Sequence, residues 1–128
     1  MNISHSPKTV APPFGPYAHG CEVPTGSRII YTAGEVGVMP DGTIPKTIEE
    51  QADCVWKNIE NILKHAGFGL KDLVKMTTFL VKASDVAAAG KVRAKYLGDT
   101  RPASSTVIVA ALVKPDWLIE IEVVAAQR

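Results

Sequence analysis

Almost nothing in this 128-residue chain is present in surplus, and each shortage excludes a class of protein. Fourteen Lys and Arg against thirteen Asp and Glu leave a net charge of +1, without the basic excess of a nucleic-acid binder or the acidic excess of a disordered tail. Aromatic residues make up 6%, too few to build a stacking platform for single-stranded RNA. The two cysteines, Cys21 and Cys54, lie far apart and outside any CxxC pair, and His5, His19 and His65 show no ligand spacing. Neither a zinc framework nor a disulfide scaffold is indicated. Both thiols are expected to be buried and reduced, and no metal or other cofactor is expected. No apolar run approaches the ~20 residues a membrane span requires. The longest, Val107 to Val113, is broken by Lys114. Prolines and polar residues interrupt the first stretch where a secretory signal needs a continuous apolar core, so a cytoplasmic protein with no membrane partner is expected. What is present, 46% hydrophobic and 21% charged residues, is the composition of one globular domain over residues 1–128.

Residues 1–17 read as an extended arm and loop, because APPFGPY before Ala18 is too rich in Pro and Gly for regular structure. Two strand-like runs follow, Ala18 to Val23 and Arg28 to Ala33, and the turn residues Pro24-Thr25-Gly26-Ser27 between them predict a hairpin. Thr47, with Glu50 three residues on, predicts the start of a helix. Ile48, Ala52, Val55, Ile59, Ile62, Leu63 and Ala66 then trace one apolar face, and Gly67 supplies a left-handed stop. Leu73 to Val81 is rich in β-branched and apolar types and predicts a strand. Ser84 is the expected cap of a second helix ending before Gly98, whose alanines imply close packing. Ser105 to Leu112 and Trp117 to Ala125 close the chain as strands, and their short connection suits an antiparallel pair.

The order ββαβαββ predicts an α+β layer, about five strands with two helices on one face. Val107-Ile108-Val109-Ala110-Ala111-Leu112 does not alternate, so this strand is apolar toward both faces. Two helices on one side leave the other face bare. A homo-oligomer is therefore expected, with that face buried against sister subunits.

One set of residues, taken in order, resembles the RidA/YjgF/UK114 family over nearly the whole chain. It comprises Gly15-Pro16-Tyr17, Thr32-Ala33-Gly34-Glu35, Gln51 with Asn58-Ile59, Ala66-Gly67, Val74-Lys75 with Thr77 and Phe79, Pro102-Ala103, and Ile119-Glu120-Ile121-Glu122. The resemblance implies a chorismate-mutase-like, YjgF-like subunit in a homotrimeric barrel with ligand clefts between subunits. It also implies hydrolysis of reactive 2-imino or enamine acids to 2-oxo acids and ammonia. Such a cleft needs a cation for the substrate carboxylate and a carboxyl group to direct the attacking water.

Departures from the family pattern fall on that cleft. Where the family has Pro-Ala-Arg-Ser this chain reads Pro102-Ala103-Ser104-Ser105, so the arginine expected to clamp the carboxylate is Ser104. A charged fork of this kind is worth about 1.5–3 kcal/mol, on the order of ten- to hundred-fold in affinity. Ala33 replaces a serine, Glu35 a glutamine and Gly90 an asparagine. Glu120 matches the catalytic glutamate of the resemblance, although it alternates with Glu122 as residues on a solvated strand face do. Tyr17, Ala33, Gly34, Glu35, Ser104 and Ser105 are the expected substrate-binding positions. His19 is a candidate for altered chemistry. Arg93, one helical turn beyond Gly90, is a candidate replacement cation, and Arg101 is another nearby positive charge. The function expected is a hydrolase or deaminase of a small imine, enamine or related C–N metabolite, with no nucleic-acid partner. The alternative is a non-catalytic ligand-binding or chaperone-like trimer. A ribonuclease is disfavoured by the charge balance.

Overall fold

Thr47 caps the first helix as its hydroxyl chemistry predicts. In the computed structural model, which describes residues 1–128, the Glu50 amide donates to Thr47 Oγ1 (3.2 Å) and the hydroxyl donates to the Glu50 carboxylate (2.8 Å). The helix, α1, runs over Ile48–His65, and Gly67 follows at φ +83°, a conformation that a Cβ would strain. Ile48, Ala52, Val55, Ile59 and Leu63 are buried as the periodicity predicts, whereas Ile62 and Ala66 at the end of the stripe are only half-buried. Trp56, outside the predicted stripe, is also fully buried, because it stacks on Tyr96 of the second helix with ring centroids 6.1 Å apart. Each large side chain sealed on this face contributes about 1.5–3 kcal/mol, which fixes α1 against the sheet.

Strand β1 (Ile3–His5) lies inside the N-terminal arm and pairs antiparallel with β2 (Gly20–Glu22). The main sheet has five strands: β3 (Arg28–Tyr31), β4 (Glu35–Val36), β5 (Leu73–Leu80), β6 (Ala103–Ile108) and β7 (Ile119–Gln127). Its order is β3-β7-β5-β6, with β4 also pairing β7. The second helix, α2, runs over Val86–Leu97. Both helices lie on the same face, above Met76, Leu80, Ile119, Ile121, Val123 and Ala125, so the α+β architecture follows the sequence reading.

Strand partners differ from the prediction at two places. The turn at Pro24–Ser27 forms, with Gly26 at φ +85°, but it passes the chain between sheets: β2 pairs with the arm and β3 with β7. Likewise β6 and β7 are not neighbours. β5 sits between them, parallel to β6 and antiparallel to β7, so the connection from Val109 to Leu118 crosses over it. The predicted run to Leu112 stops at Ile108 because β5 stops at Leu80, and the last rung is the Val109 amide to the Leu80 carbonyl (2.8 Å).

Three smaller differences have local causes. A tight turn at Ala83–Asp85, closed by the Asp85 amide on the Lys82 carbonyl (3.1 Å), leaves Ser84 outside the helix and Asp85 at its N-cap. The alanines of α2 pack closely only in part: Ala89 is in the core and Ala88 lies against it, whereas Ala87 and Ala94 are exposed. Val92 joins Ala89 in the shared helix core, and a cavity remains between α2 and the sheet. Cys54 is buried as expected, whereas Cys21 is half-buried.

The face away from the helices is formed by alternate residues of the same strands. It carries Ile29 (47% exposed), Tyr31 (73%) and Val107 (42%), together with Phe79, Val124, Glu120 and Glu122. The apolar surface anticipated from the sequence is thus uncovered in the single chain.

Candidate functional site

Register separates the candidate residues into two groups. On β6, Ser104 pairs with the buried Met76 and faces the helices, whereas Ser105 pairs with Thr77 and faces the open side, where it accepts a hydrogen bond from Lys75 Nζ (3.2 Å). On β7, Glu120 pairs with Phe79 and belongs to the open side, as does the exposed Glu122.

The first group surrounds a cavity of about 690 Å³ between α2, the N-terminal loop and the strands. Tyr17 lines it, half-buried, its hydroxyl oxygen accepting from the Phe14 amide (3.2 Å). Arg93 reaches down from α2 and donates from Nη1 to Ser104 Oγ (3.2 Å) and from Nη2 to the Pro16 carbonyl (3.0 Å). No carboxylate lies within ion-pairing distance of this guanidinium. Burial, and then the positive charge of Arg101, press its pKa down from the ordinary arginine value. A half-buried cation with only neutral partners has the chemistry to hold an anion. Arg101 itself is occupied elsewhere, donating to the Gly98 and Thr100 carbonyls (2.7 and 3.2 Å) beyond the end of α2.

The second group is acidic. Val36 of β4 pairs with Glu120, and Glu35 pairs with Ile121, so a short strand brings the loop Ala33-Gly34 against β7. A Cβ at Gly34 would overlap the Glu120 carboxyl group, so the absence of a side chain is what lets the glutamate lie there. Ala33 and Gly34 are exposed; Glu35 and Glu120 are half-buried. Burial, and then the nearby charge of Glu120, raise the Glu35 carboxyl above the ordinary glutamate range.

His19 joins neither group. Its Nε2 donates to the Ala11 carbonyl (2.7 Å), its amide donates to Ser6 Oγ (3.2 Å), and its ring meets Tyr17 edge-on at 6.0 Å, so it ties the arm to the domain. The sequence reading missed the cavity's floor and mouth: Met76, Leu80 and Ile119 below, Phe14 and Thr106 at the rim. The available signal was the run Ala87-Ala88-Ala89-Gly90, which has no side chain large enough to fill a gap under a helix.

Residues 8–127 match the endoribonuclease L-PSP family. The chain belongs to that family, the family of the Rid and YjgF proteins. A RutC family protein of Pyrococcus abyssi is 39% identical over 115 residues, 88% of this chain and 87% of its own. The fold is similar to that of YyfB from Yersinia pestis, a Rid-family protein, with a TM-score of 0.86, 31% identity and 98% of each chain covered. It is also similar to Escherichia coli TdcF with bound serine, with a TM-score of 0.75, 33% identity and 91% of each chain covered. TdcF is described as a candidate reactive intermediate deaminase. No helix in the chain is long and apolar enough to cross a membrane.

Proposed function

We propose that this protein hydrolyses a small imine-bearing carboxylic acid, or the enamine that tautomerises to it, in clefts between the subunits of a homotrimer. The observation that carries the reading is Arg93: a guanidinium without a counter-ion, held on Ser104, the strand position where the family resemblance expects an arginine. The positive charge lost from β6 is supplied from α2. Family membership and the serine held by TdcF support a small carboxylate as the ligand.

Arg93 and Ser104 lie on the helix side of one chain's sheet and Glu120 on the opposite face, so one subunit cannot present both to one substrate. A seam between subunits, where the uncovered face of one copy meets the cavity edge of the next, brings Arg93, Ser104 and Tyr17 opposite Gly34 and Glu120. Arg93 holds the substrate carboxylate and so fixes the C=N carbon. Glu120, ionised, takes a proton from water as the water oxygen bonds to that carbon and the π electrons pass to nitrogen. The carbinolamine formed from the protonated imine takes that proton from Glu120 on its nitrogen, and its hydroxyl proton leaves to water as the C=O bond forms and the C–N bond breaks, releasing ammonia and a 2-oxo acid and returning Glu120 to its carboxylate.

The test uses imines generated in situ by an amino-acid oxidase. Glu120→Gln should abolish the accelerated hydrolysis with little change in KM, and Arg93→Ala should raise KM by about ten- to hundred-fold, the worth of a charged hydrogen bond. Wild-type rates in both variants would overturn the reading and leave a binding protein.

A further inference from the structure

The chain carries one extra residue between β3 and β4. Tyr31 pairs with Val124 and Glu35 with Ile121, four steps along this edge against three along β7. An extra residue in an antiparallel pair is a bulge, and because side chains alternate it exchanges the faces of everything beyond it. Continued without the bulge, the register of β3 would set Glu35 directly opposite Glu120 and Gly34 opposite Ile121. Instead Val36 stands opposite Glu120, Glu35 shares the helix side with the core residue Ile121, and Gly34 lies on the open side against the Glu120 carboxyl.

Thr32 stands where the extra residue begins. Its amide donates to the Val123 carbonyl (3.0 Å) as the ladder requires, but the Val123 amide returns its bond to Thr32 Oγ1 (3.0 Å) and not to the Thr32 carbonyl. A side-chain hydroxyl thus takes the place of one backbone acceptor, and the chain can leave the ladder at Ala33 without orphaning the amide of Val123, a residue 2% exposed. Beyond the bulge, Asn58 Nδ2 of α1 donates to the Val36 and Val38 carbonyls (3.3 and 3.0 Å), so β4 is held from the helix. The loop Ala33-Gly34 is pinned at both ends.

We infer that Thr32 is a positioning residue for Glu120. With the hydroxyl bonded to Val123, the residue beside the glutamate carboxyl is Gly34, which has no Cβ to displace it. Without that bond, the Val123 amide draws in the Thr32 carbonyl, the bulge straightens toward the continuous register, and Ala33 moves up beside Glu120. Its Cβ then stands where a Cβ built at Gly34 overlaps the carboxyl. The inference rests on the imine-hydrolase reading for the reaction, whereas the placement of the carboxyl stands on hydrogen bonds and register and has its own measurement. Thr32 touches no reacting atom and acts only through Gly34 and Glu120.

Thr32→Val keeps the shape and the strand propensity while removing the acceptor, so the variant is expected to fold, and Thr32→Ala removes the same acceptor with less bulk. In hydrolysis of imines generated in situ, kcat of either variant should fall by about ten- to hundred-fold while KM stays within about twofold, because Arg93 is untouched. Thr32→Ser should keep the wild-type rate, and Ala33→Gly added to Thr32→Val should recover most of it by making the room that Gly34 makes now. An unchanged kcat in Thr32→Val and Thr32→Ala, or a loss that neither serine nor the added glycine relieves, would overturn the inference. A crystal structure of Thr32→Val supplies the measurement that needs no activity, and in it the Glu120 carboxyl should have left Gly34. If the wild type hydrolyses no imine, the reading of the reaction ends while a displaced carboxyl sustains the part assigned to Thr32. A carboxyl still lying against Gly34 in the variant would end that assignment whether or not imines are hydrolysed.

Discussion

Glu35 is a glutamate where the family resemblance expects a glutamine, and the substitution carries a pH signature. Its carboxyl is raised above the ordinary glutamate range by burial and by the Glu120 charge, so the folded chain holds this proton more tightly than the unfolded chain. The contribution to stability is therefore complete at acid pH, below the unfolded glutamate value of about 4.3, and is lost as pH rises through the folded value. Above that folded value the ionised Glu35 is a cost. Glu35→Gln removes the charge and keeps the shape, so it should melt at a higher temperature than wild type at pH 7 and at nearly the same temperature at pH 4. Thermal melts at the two pH values check this. A gain of equal size at both would assign the effect to packing and not to ionisation. Arg93 offers the complementary lesson in legibility. Its presence one turn beyond Gly90 was visible in the sequence, but its hydrogen bond to Ser104 joins a helix to a strand through tertiary packing that no local pattern reports.

At the scale of elements, Gln51 shows what an apparently unremarkable match to a family pattern can hold. It is 1% exposed within α1, and its Nε2 donates to the Pro45 carbonyl (2.9 Å) and the Asp116 carbonyl (2.8 Å), while its Oε1 accepts from the Leu118 amide (2.9 Å). One amide thus ties the loop before α1 and the crossover before β7 to the helix. Gly37 packs directly on it, since a Cβ there would stand 3.0 Å from the Gln51 backbone. Gln51→Leu fits the same volume but leaves two carbonyls and an amide unpartnered, at about 1–3 kcal/mol each where they stay dry. The expected loss is about 3 kcal/mol or more, read as a lower urea midpoint with an unchanged slope. A loss below ~1 kcal/mol would mean that water replaces the side chain. The helices were legible because their signals are local: a hydroxyl three residues from a carboxylate, an apolar stripe, a glycine at the end. Strand pairing was not. The turn at Pro24–Ser27 is real, yet the partner of β3 is β7, nearly a hundred residues on, and nothing near Arg28 encodes that choice.

For the whole molecule, the proposed function divides the cleft between chains, and that division has a direct test. The run Val107–Leu112, without alternation, leads the sequence reading to expect a sheet apolar toward both faces; only Val107 and Ile108 of it lie in β6, and Ile29, Tyr31 and Val107 stand uncovered on the sheet face that also carries Glu120. If each cleft takes Arg93 from one copy and Glu120 from the next, the two defects need not coincide. At substrate concentrations well below KM, Glu120→Gln alone should be inactive and Arg93→Ala alone should keep about a tenth to a hundredth of the wild-type rate, yet a mixture unfolded and refolded together should recover activity beyond both. In a randomly assembled ring, a seam is intact when the arginine side comes from the Glu120→Gln chain and the glutamate side from the Arg93→Ala chain, so about one quarter of the wild-type sites should return. Mixing without subunit exchange should restore nothing, which separates complementation from simple addition of residual rates. A co-refolded mixture no more active than its components would place both groups of each cleft within one subunit. The opposite faces of Ser104 and Glu120 on a single sheet would then have to be bridged by a change of fold, because the register that separates them is fixed by the Met76 and Phe79 pairings at the centre of the core strand.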